Sequence, residues 1–403
     1  MATGAVLGAA VAGPAAAQQQ LQMPVLSGER VLRFGASAEV YYDTNVSRGS
    51  DLLASQRGLQ PEDTVFQPRV TATVSQPLGT QMVYLNGFAG YDFHRNNSRL
   101  DRANVQVGGG YTARVGICQP SLMGSYSGRQ SDLEDADSNT VTNLIQSYGT
   151  AAGLRCGRPI GPGVQVMVGR EMVKNSTSGR TASDHDSEFL NLALSYSNPT
   201  LGQASIAWGY GSNEYPNRII PGRPVGDGFI TSNYTLSYQR QLGQKITLGG
   251  SIGRTMVKRE FAIAGAPLKF STTSYAASLD YRMSERIGLR ASGARSVKPS
   301  NRPGKIYDVS THLEGAVRYA LGTRYDIEVG HAWTETNSNA DTAPGTRPVI
   351  TNSRNNLTFG SVQYAQSDRI SWEFTVQRDR RNTNLPQFNY SSTRVGLRTT
   401  VTF

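Results

Sequence analysis

The chain has 403 residues, of which 38% are hydrophobic, and its mean hydropathy is −0.40. That is little apolar material for a large packed core, while 19 Tyr and 12 Phe spread along the length argue against disorder. The net charge of +10 comes from Arg residues scattered through alternating segments, so a nucleic-acid partner is not expected; an Arg-rich, water-filled lumen that favours anions is the better reading.

No stretch is long and apolar enough for a transmembrane helix. At the N-terminus, Ala5 to Ala12 is a short apolar run, and Ala15-Ala16-Ala17 before Gln18 fits the small-residue cleavage rule of an export signal. The basic n-region of such a signal is missing, and a disordered Ala-rich tail is the alternative. Residues 1–17 are therefore read as a signal peptide with its start in question, 18–30 as a short periplasmic segment, and 31–403 as one barrel domain. The segment from Gln18 to Arg30 is too short for a lumen-filling plug or a helical-repeat domain.

From Leu32 onward the dominant signal is period-two alternation. Leu32, Phe34, Ala36, Ala38, Val40 and Tyr42 alternate with Arg33, Gly35, Ser37, Glu39 and Tyr41. Gly108-Gly109-Gly110 lies inside an alternating strand and opens no helix, so it marks a thin wall or a bend and no dinucleotide loop. Cys118 to Gln130 rises and Val141 to Cys156 returns. A hairpin centred near Asp137 sets Cys118 opposite Cys156 and Tyr126 opposite Tyr148, close enough for a disulfide in an oxidising compartment. Two free thiols are the alternative. Asp132, Glu134, Asp135 and Asp137 form an acidic loop that lacks the calcium-loop Gly and terminal Glu, so a solvated loop is favoured over a metal site. Further on, His312 and Glu314 share a face with Asp308 and Arg318; a catalytic pair and plain lumen lining are both open readings. The segments at Tyr325–Trp333, Ile370–Val376 and Val395–Phe403 alternate again, whereas Asn337 to Gln366 alternates least cleanly and could hide a bulge.

Short connections, such as Gln76–Gly79, Asn198–Thr200 and Gln366–Asp368, alternate with long polar ones, such as Ser47–Glu62 and Pro216–Asp227. This predicts an all-β fold: a transmembrane antiparallel up-and-down barrel of about 16–18 strands, eighteen by direct count, with short periplasmic turns and long extracellular loops. Tyr196, Tyr238, Tyr281, Tyr319 and Tyr364 each precede a short turn and would form an aromatic girdle. Their spacing also suits a propeller blade, a fold with no reason to end on Phe.

Charges on the lipid face would cost about 2–4 kcal/mol each at the midplane. Parity therefore assigns Arg33, Arg69, Arg114, Arg282, Arg290, Arg318, Arg324, Arg369, Arg394 and Arg398 to the lumen, in apparent excess over Glu39, Asp280, Asp308, Glu314, Asp326, Glu328 and Glu373, with Arg282, Arg290, Arg318, Arg324, Arg369, Arg394 and Arg398 as candidate selectivity residues. Arg324, Arg369, Arg394 and Arg398 are expected near the periplasmic mouth. A lattice of ion pairs that only stiffens the wall is the competing reading.

Two segments carry a family resemblance. Glu39-Val40-Tyr41-Tyr42-Asp43-Thr44-Asn45-Val46 and Arg378-Asp379-Arg380-Arg381-Asn382-Thr383-Asn384-Leu385-Pro386, followed by Tyr390 to Phe403, resemble an outer-membrane β-barrel porin family (beta-barrel porin 2-like) often found beside exopolysaccharide genes in alphaproteobacteria. The terminal Phe403 is similar to the signal read by the barrel-assembly machinery. The resemblance implies a diffusion or export channel in the Gram-negative outer membrane, with an anionic exopolysaccharide as the sharpest version. It supplies no catalytic residues; no enzyme activity, cofactor or metal is expected. The expected partners are outer-membrane lipids and lipopolysaccharide, the assembly machinery, and periplasmic polysaccharide-export proteins. The other function class left open is an anchoring barrel with a blocked lumen whose long loops bind something outside.

Overall fold

The computed structural model describes residues 30–131, 133, 141–219, 226–261, 268–300, 305–340 and 350–403. The signal peptide, most of the periplasmic segment and nearly all of the acidic loop of Asp132 to Asp137 lie outside them. The strands in chain order are β1 (Val31–Asp43), β2 (Asp63–Leu78), β3 (Gln81–His94), β4 (Arg102–Ala113), β5 (Cys118–Gln130), β6 (Leu144–Gly157), β7 (Gly161–Asn175), β8 (His185–Asn198) and β9 (Gly202–Tyr215). They continue as β10 (Asp227–Leu242), β11 (Ile246–Arg259), β12 (Lys269–Arg282), β13 (Ile287–Pro299), β14 (Lys305–Leu321), β15 (Tyr325–Ala340), β16 (Asn352–Ala365), β17 (Ile370–Thr383) and β18 (Tyr390–Thr402). Each pairs antiparallel with its sequence neighbours, and β18 pairs with β1, so the 18-stranded sheet closes into a barrel without an edge.

The turns at one end are tight. Gly79 and Gly322 take φ of +67° and +72° there, a left-handed conformation that side chains disfavour. The other end carries the long connections, the first of which includes a helix, α1 (Asp51–Gln56). The tight-turn end is the periplasmic one in barrels of this kind.

Register carries the parity of β1 around the wall, because directly opposed residues share a face. Val40 opposes Phe66, Phe66 opposes Phe93, and Trp372 opposes Tyr364. These side chains face outward, and Val40, Phe66, Phe93 and Trp372 are exposed, as a lipid-facing surface requires. Tyr196, Tyr238, Tyr281, Tyr319 and Tyr364 stand on this outward face toward the tight-turn end, and Tyr325 stacks on Tyr364 with ring centroids 4.8 Å apart. The irregular alternation between Asn337 and Gln366 has a simple cause. β16 pairs without a break on both sides, but Leu357 and Phe359 face the lumen, with Phe359 lying against Gly330. The register shift falls in β14 instead, between Lys305 and Tyr307.

Cys118 opposes Cys156 at the periplasmic end of β5 and β6, Tyr126 opposes Tyr148, and the two sulfurs are bonded with Cα atoms 3.9 Å apart. Phe403 follows β18, with its backbone N–H on the Phe34 carbonyl at 2.8 Å and its ring exposed. The cross-link spans a sequence separation of 38 residues. Closing such a loop is worth about 4 kcal/mol in the chain-entropy account. The double variant Cys118→Ser, Cys156→Ser is expected to unfold at a lower temperature in a heat-modifiability gel assay, with single-channel conductance unchanged, since the bond sits on the outward face of the rim.

Candidate functional site

Strand parity confines a chain of charged residues to the lumen, and several of them are paired. Arg398 lies between β1 and β17, donating from Nε to Glu39 Oε2 at 2.8 Å and from its terminal nitrogen to Glu373 at 3.2 Å. Arg290 sits 3.1 Å from Glu328 and 3.6 Å from Glu314, and Arg318 sits 2.9 Å from Asp326. His312 bonds Thr334 at 2.8 Å and lies 3.5 Å from Glu314, within the same lattice, so its surroundings are those of lumen lining. Along the described strands the lumen face holds about as many carboxylates as cations, so the Arg excess expected of the wall is not there. Carboxylates that sequence reading left unassigned, such as Asp43, Asp63, Asp92 and Asp379, also point inward and offset it.

Two positions differ from expectation. Arg394 opposes Asp43, at the extracellular end of β1, and stands over the Tyr41 ring at 4.2 Å. Arg398 opposes Glu39, some four residues lower and well inside the barrel. The expectation of a periplasmic position overlooked that β18 runs downward, so its first residues are at the top. By contrast, Arg282 ends β12, while Arg324 and Arg369 immediately precede β15 and β17, all at the periplasmic mouth. None of these three is in an ion pair among the described residues.

The extracellular mouth is covered from two sides. On one side the β1–β2 connection folds over the opening. Ser50 caps α1 by accepting from the Leu53 N–H, which lets Leu53 pack with Ile350 and Phe388. Val46 and Leu59 of the same connection join Leu100, Leu133 and Val141 from two other loops. Arg57 anchors this cap: it is fully buried and donates to the carbonyls of Ser47 at 2.7 Å and Leu133 at 3.0 Å. Burial, followed by the charges of Arg180 from the β7–β8 loop and Arg381 from β17, lowers its pKa to about 10. Feeling both charges places Arg57 between distant parts of the rim, and it stays cationic at neutral pH. Beneath the cap lies a cavity of about 430 Å³ whose lining includes Tyr41, Asp43, Asp92, His94, Arg48 and Arg394.

On the other side the tip of the β13–β14 hairpin leaves the wall. β12 and β13 pair only up to Tyr275 and Arg295, whereas β13 and β14 stay paired to Pro299 and Tyr307. Above the parting, Val297, Tyr307 and Val309 rest on the lumen-facing Tyr215, Phe229, Val257 and Phe270. The Phe270 and Tyr307 rings stack 3.6 Å apart. The hairpin has thus folded into the barrel and lies on the inner wall of β10–β12. A buried charge cluster fixes it: Arg259 forks onto Asp227 at 2.8 and 2.9 Å, Arg218 reaches Asp227 at 3.5 Å, and Arg218 also donates to the Ser300 carbonyl at 3.4 Å. Burial lowers the pKa of Arg218.

Sequence reasoning passed over Arg57, Arg218, Asp227 and Arg259. For Asp227 and Arg259 a signal existed, since both hold lumen parity at the top of adjacent strands. Nothing in the loop sequence distinguishes Arg57 or Arg218 from solvated arginines.

No family model matches the sequence, and no curated protein does, so the family-level resemblance stands on the two segments alone. Solved structures share the fold. The outer-membrane protein OpdK of Pseudomonas aeruginosa superposes with a TM-score of 0.50 at 11% identity, covering 93% of this chain and 99% of its own. OccK2 (OpdF) of the same organism gives 0.51 at 12% identity, covering 92% and 98%. The FrpB iron transporter of Neisseria meningitidis gives 0.50 at 8% identity, covering 89% of this chain and 64% of that one. The fold is that of Gram-negative outer-membrane barrels.

The Asp227 cluster yields a direct test of the inward hairpin. Removing one member of a buried ion pair costs roughly 3–5 kcal/mol, because the remaining charge stays uncompensated. Asp227→Ala is expected to free the hairpin, raising single-channel conductance and open-state noise while the barrel remains intact by heat modifiability.

Proposed function

We propose that this chain is a passive, porin-like channel that prefers anionic solutes. One observation carries the reading: many of the wall charges are paired with one another, while Arg282, Arg324 and Arg369 at the periplasmic mouth have no ion-pair partner among the described residues. Fixed positive charge at a pore entrance lowers the barrier for anions and raises it for cations. A barrel of this strand number retains an aqueous lumen unless something fills it. OccK2, of the same fold, has been solved in complex with glucuronate, which makes a small sugar acid a sensible first solute to test. Export of an anionic exopolysaccharide, met by periplasmic export proteins, is the sharper form of the reading. It rests on the same three arginines and on the segment resemblance, and it requires the extracellular cap to be displaced for a polymer to leave.

The cap and the inward hairpin favour one alternative, an anchoring barrel whose lumen conducts nothing. Planar-bilayer recording decides between the two. The channel reading expects a reversal potential of anion sign in a potassium chloride gradient, fading as the Debye length falls to about 3 Å near 1 M salt. The triple variant Arg282→Glu, Arg324→Glu, Arg369→Glu should abolish or reverse that preference. Cation preference in the unmodified protein contradicts the charge argument, and absence of any current supports the anchoring reading.

A further inference from the structure

The parting of β12 from β13 has a second face, toward the membrane. On the outward side of these strands the unbroken apolar series reaches Ile252 on β11, Tyr275 on β12 and Leu289 to Gly293 on β13. The next outward residues toward the extracellular end are Arg254, Met256 and Lys258 on β11, Thr273, Ser271 and Lys269 on β12, and Arg295 on β13. None of the four cations is in an ion pair among the described residues. Lys258 directly opposes Lys269 in the ladder, a like-charge pair that destabilises a sheet by itself. Arg254 leans across β12, donating from Nε to Ser271 Oγ at 2.8 Å, toward the gap. Arg295 is the last β13 residue still paired to β12, and its Nε is shielded from solvent without a hydrogen-bond partner among the described residues. Above it the β12 edge has lost its neighbour strand, leaving backbone donors that hydrocarbon could not satisfy.

The nearest outward carboxylates answer these charges only in part: Glu260 feels the charge of Lys258 but forms no ion pair with it among the described residues. Glu260 lies against Gly228 on β10, the side away from β12, and Glu214 opposes that same glycine from β9. In the segment joining β11 to β12, Glu260 is the one acidic residue. Some other outward cations near the same rim are paired. Arg170 pairs with Asp186 at 3.0 Å and Arg354 with Glu335 at 3.4 Å. Arg378 and Arg380 project from β17, whose ladder is continuous and has no gap.

We propose that this notch is a binding site for a phosphorylated glycolipid of the outer leaflet, lipid A, with Arg254, Lys258, Lys269 and Arg295 holding its phosphates. The position fits: the four cations begin where the unbroken apolar band stops, which is the headgroup level of the leaflet, and the exposed Tyr234 and Tyr275 stand beside them. A phosphate between Lys258 and Lys269 turns a repulsive pair into two charge-assisted hydrogen bonds, and Arg295 gains a partner for its shielded Nε. The sugar hydroxyls of the same headgroup can serve the freed β12 edge, which a simple anionic phospholipid does less well. Filling the notch from outside would brace the wall at the point where the hairpin turns inward.

The test uses the full barrel purified in detergent. Native mass spectrometry reads retention of bisphosphorylated lipid A, its dephosphorylated form, and phosphatidylglycerol at equal concentration. Bisphosphorylated lipid A is expected to be retained better than either by roughly tenfold or more, the scale of one charge-assisted contact. Lys258→Gln with Lys269→Gln should erase that preference, whereas Arg170→Gln, which removes an outward charge already engaged by Asp186, should keep it. Because all these residues face away from the lumen, unchanged conductance certifies a folded barrel. If the lysine variant does not fold, Arg254→Gln with Arg295→Gln serves in its place. Equal retention of phosphatidylglycerol by the unmodified protein, or an undiminished preference in a folded double variant, would overturn the proposal.

Discussion

The structure depends on one constraint: inside hydrocarbon no backbone N–H or C=O can be left without a partner. Closure of β18 on β1 meets it for the whole wall, with a continuous register from Gly35 opposite Thr402 to Asp43 opposite Arg394. Everything else follows from having a closed sheet with lipid on one side and water on the other. The side-chain period of two then sorts the sequence into an outer skin of Leu, Val, Phe and Tyr and a polar lining. It explains how a chain with negative mean hydropathy folds into a membrane. The widest opening of the ladder among the described residues, between β12 and β13 above Arg295, is also where the unbroken apolar outer band has ended and where the departing hairpin finds new partners inside.

The same parity that puts charge in the lumen brings carboxylates there too. Glu39, Arg398 and Glu373 form a row across three strands, and Arg290 is shared by Glu314 and Glu328. Such a lattice stiffens the wall but leaves little net field, so selectivity falls to cations beyond its reach. At the periplasmic mouth those include Arg282, Arg324 and Arg369. At the other end, Arg57 is engaged in holding a cap, and Arg218 and Arg259 are engaged in holding the hairpin. Charge at one end of the pore and steric closure at the other divide the labour of controlling passage.

Much of this was legible in the sequence because its signals are local. Alternation from Leu32 to Tyr42, the tight turns, and the equal distances of Cys118 and Cys156 from the tip of one hairpin are set by residues close in the chain. What was not legible depends on distant partners. The balance of the lumen required counting inward carboxylates, such as Asp43 and Asp92, that lie at strand ends where parity is hard to extend. The height of Arg394 required knowing the direction of β18. The poor alternation near Phe359 looked like a bulge, but it reflects an aromatic ring laid on Gly330 of the next strand, a pairing no local pattern reveals. The inward hairpin depends on Tyr307 finding Phe270, from strands separated by β13, and nothing in Lys305 to Ser310 announces it.

If unpaired arginines at the periplasmic mouth set the preference of the channel, that preference must have a side. The most direct measurement is the reversal potential of a single oriented channel with the same salt gradient imposed first in one direction and then in the other. Anion preference should be greater when the dilute solution bathes the tight-turn end, where the long Debye length leaves Arg282, Arg324 and Arg369 least screened. Equal preference in both directions would place the selective charge within the wall and contradict this account.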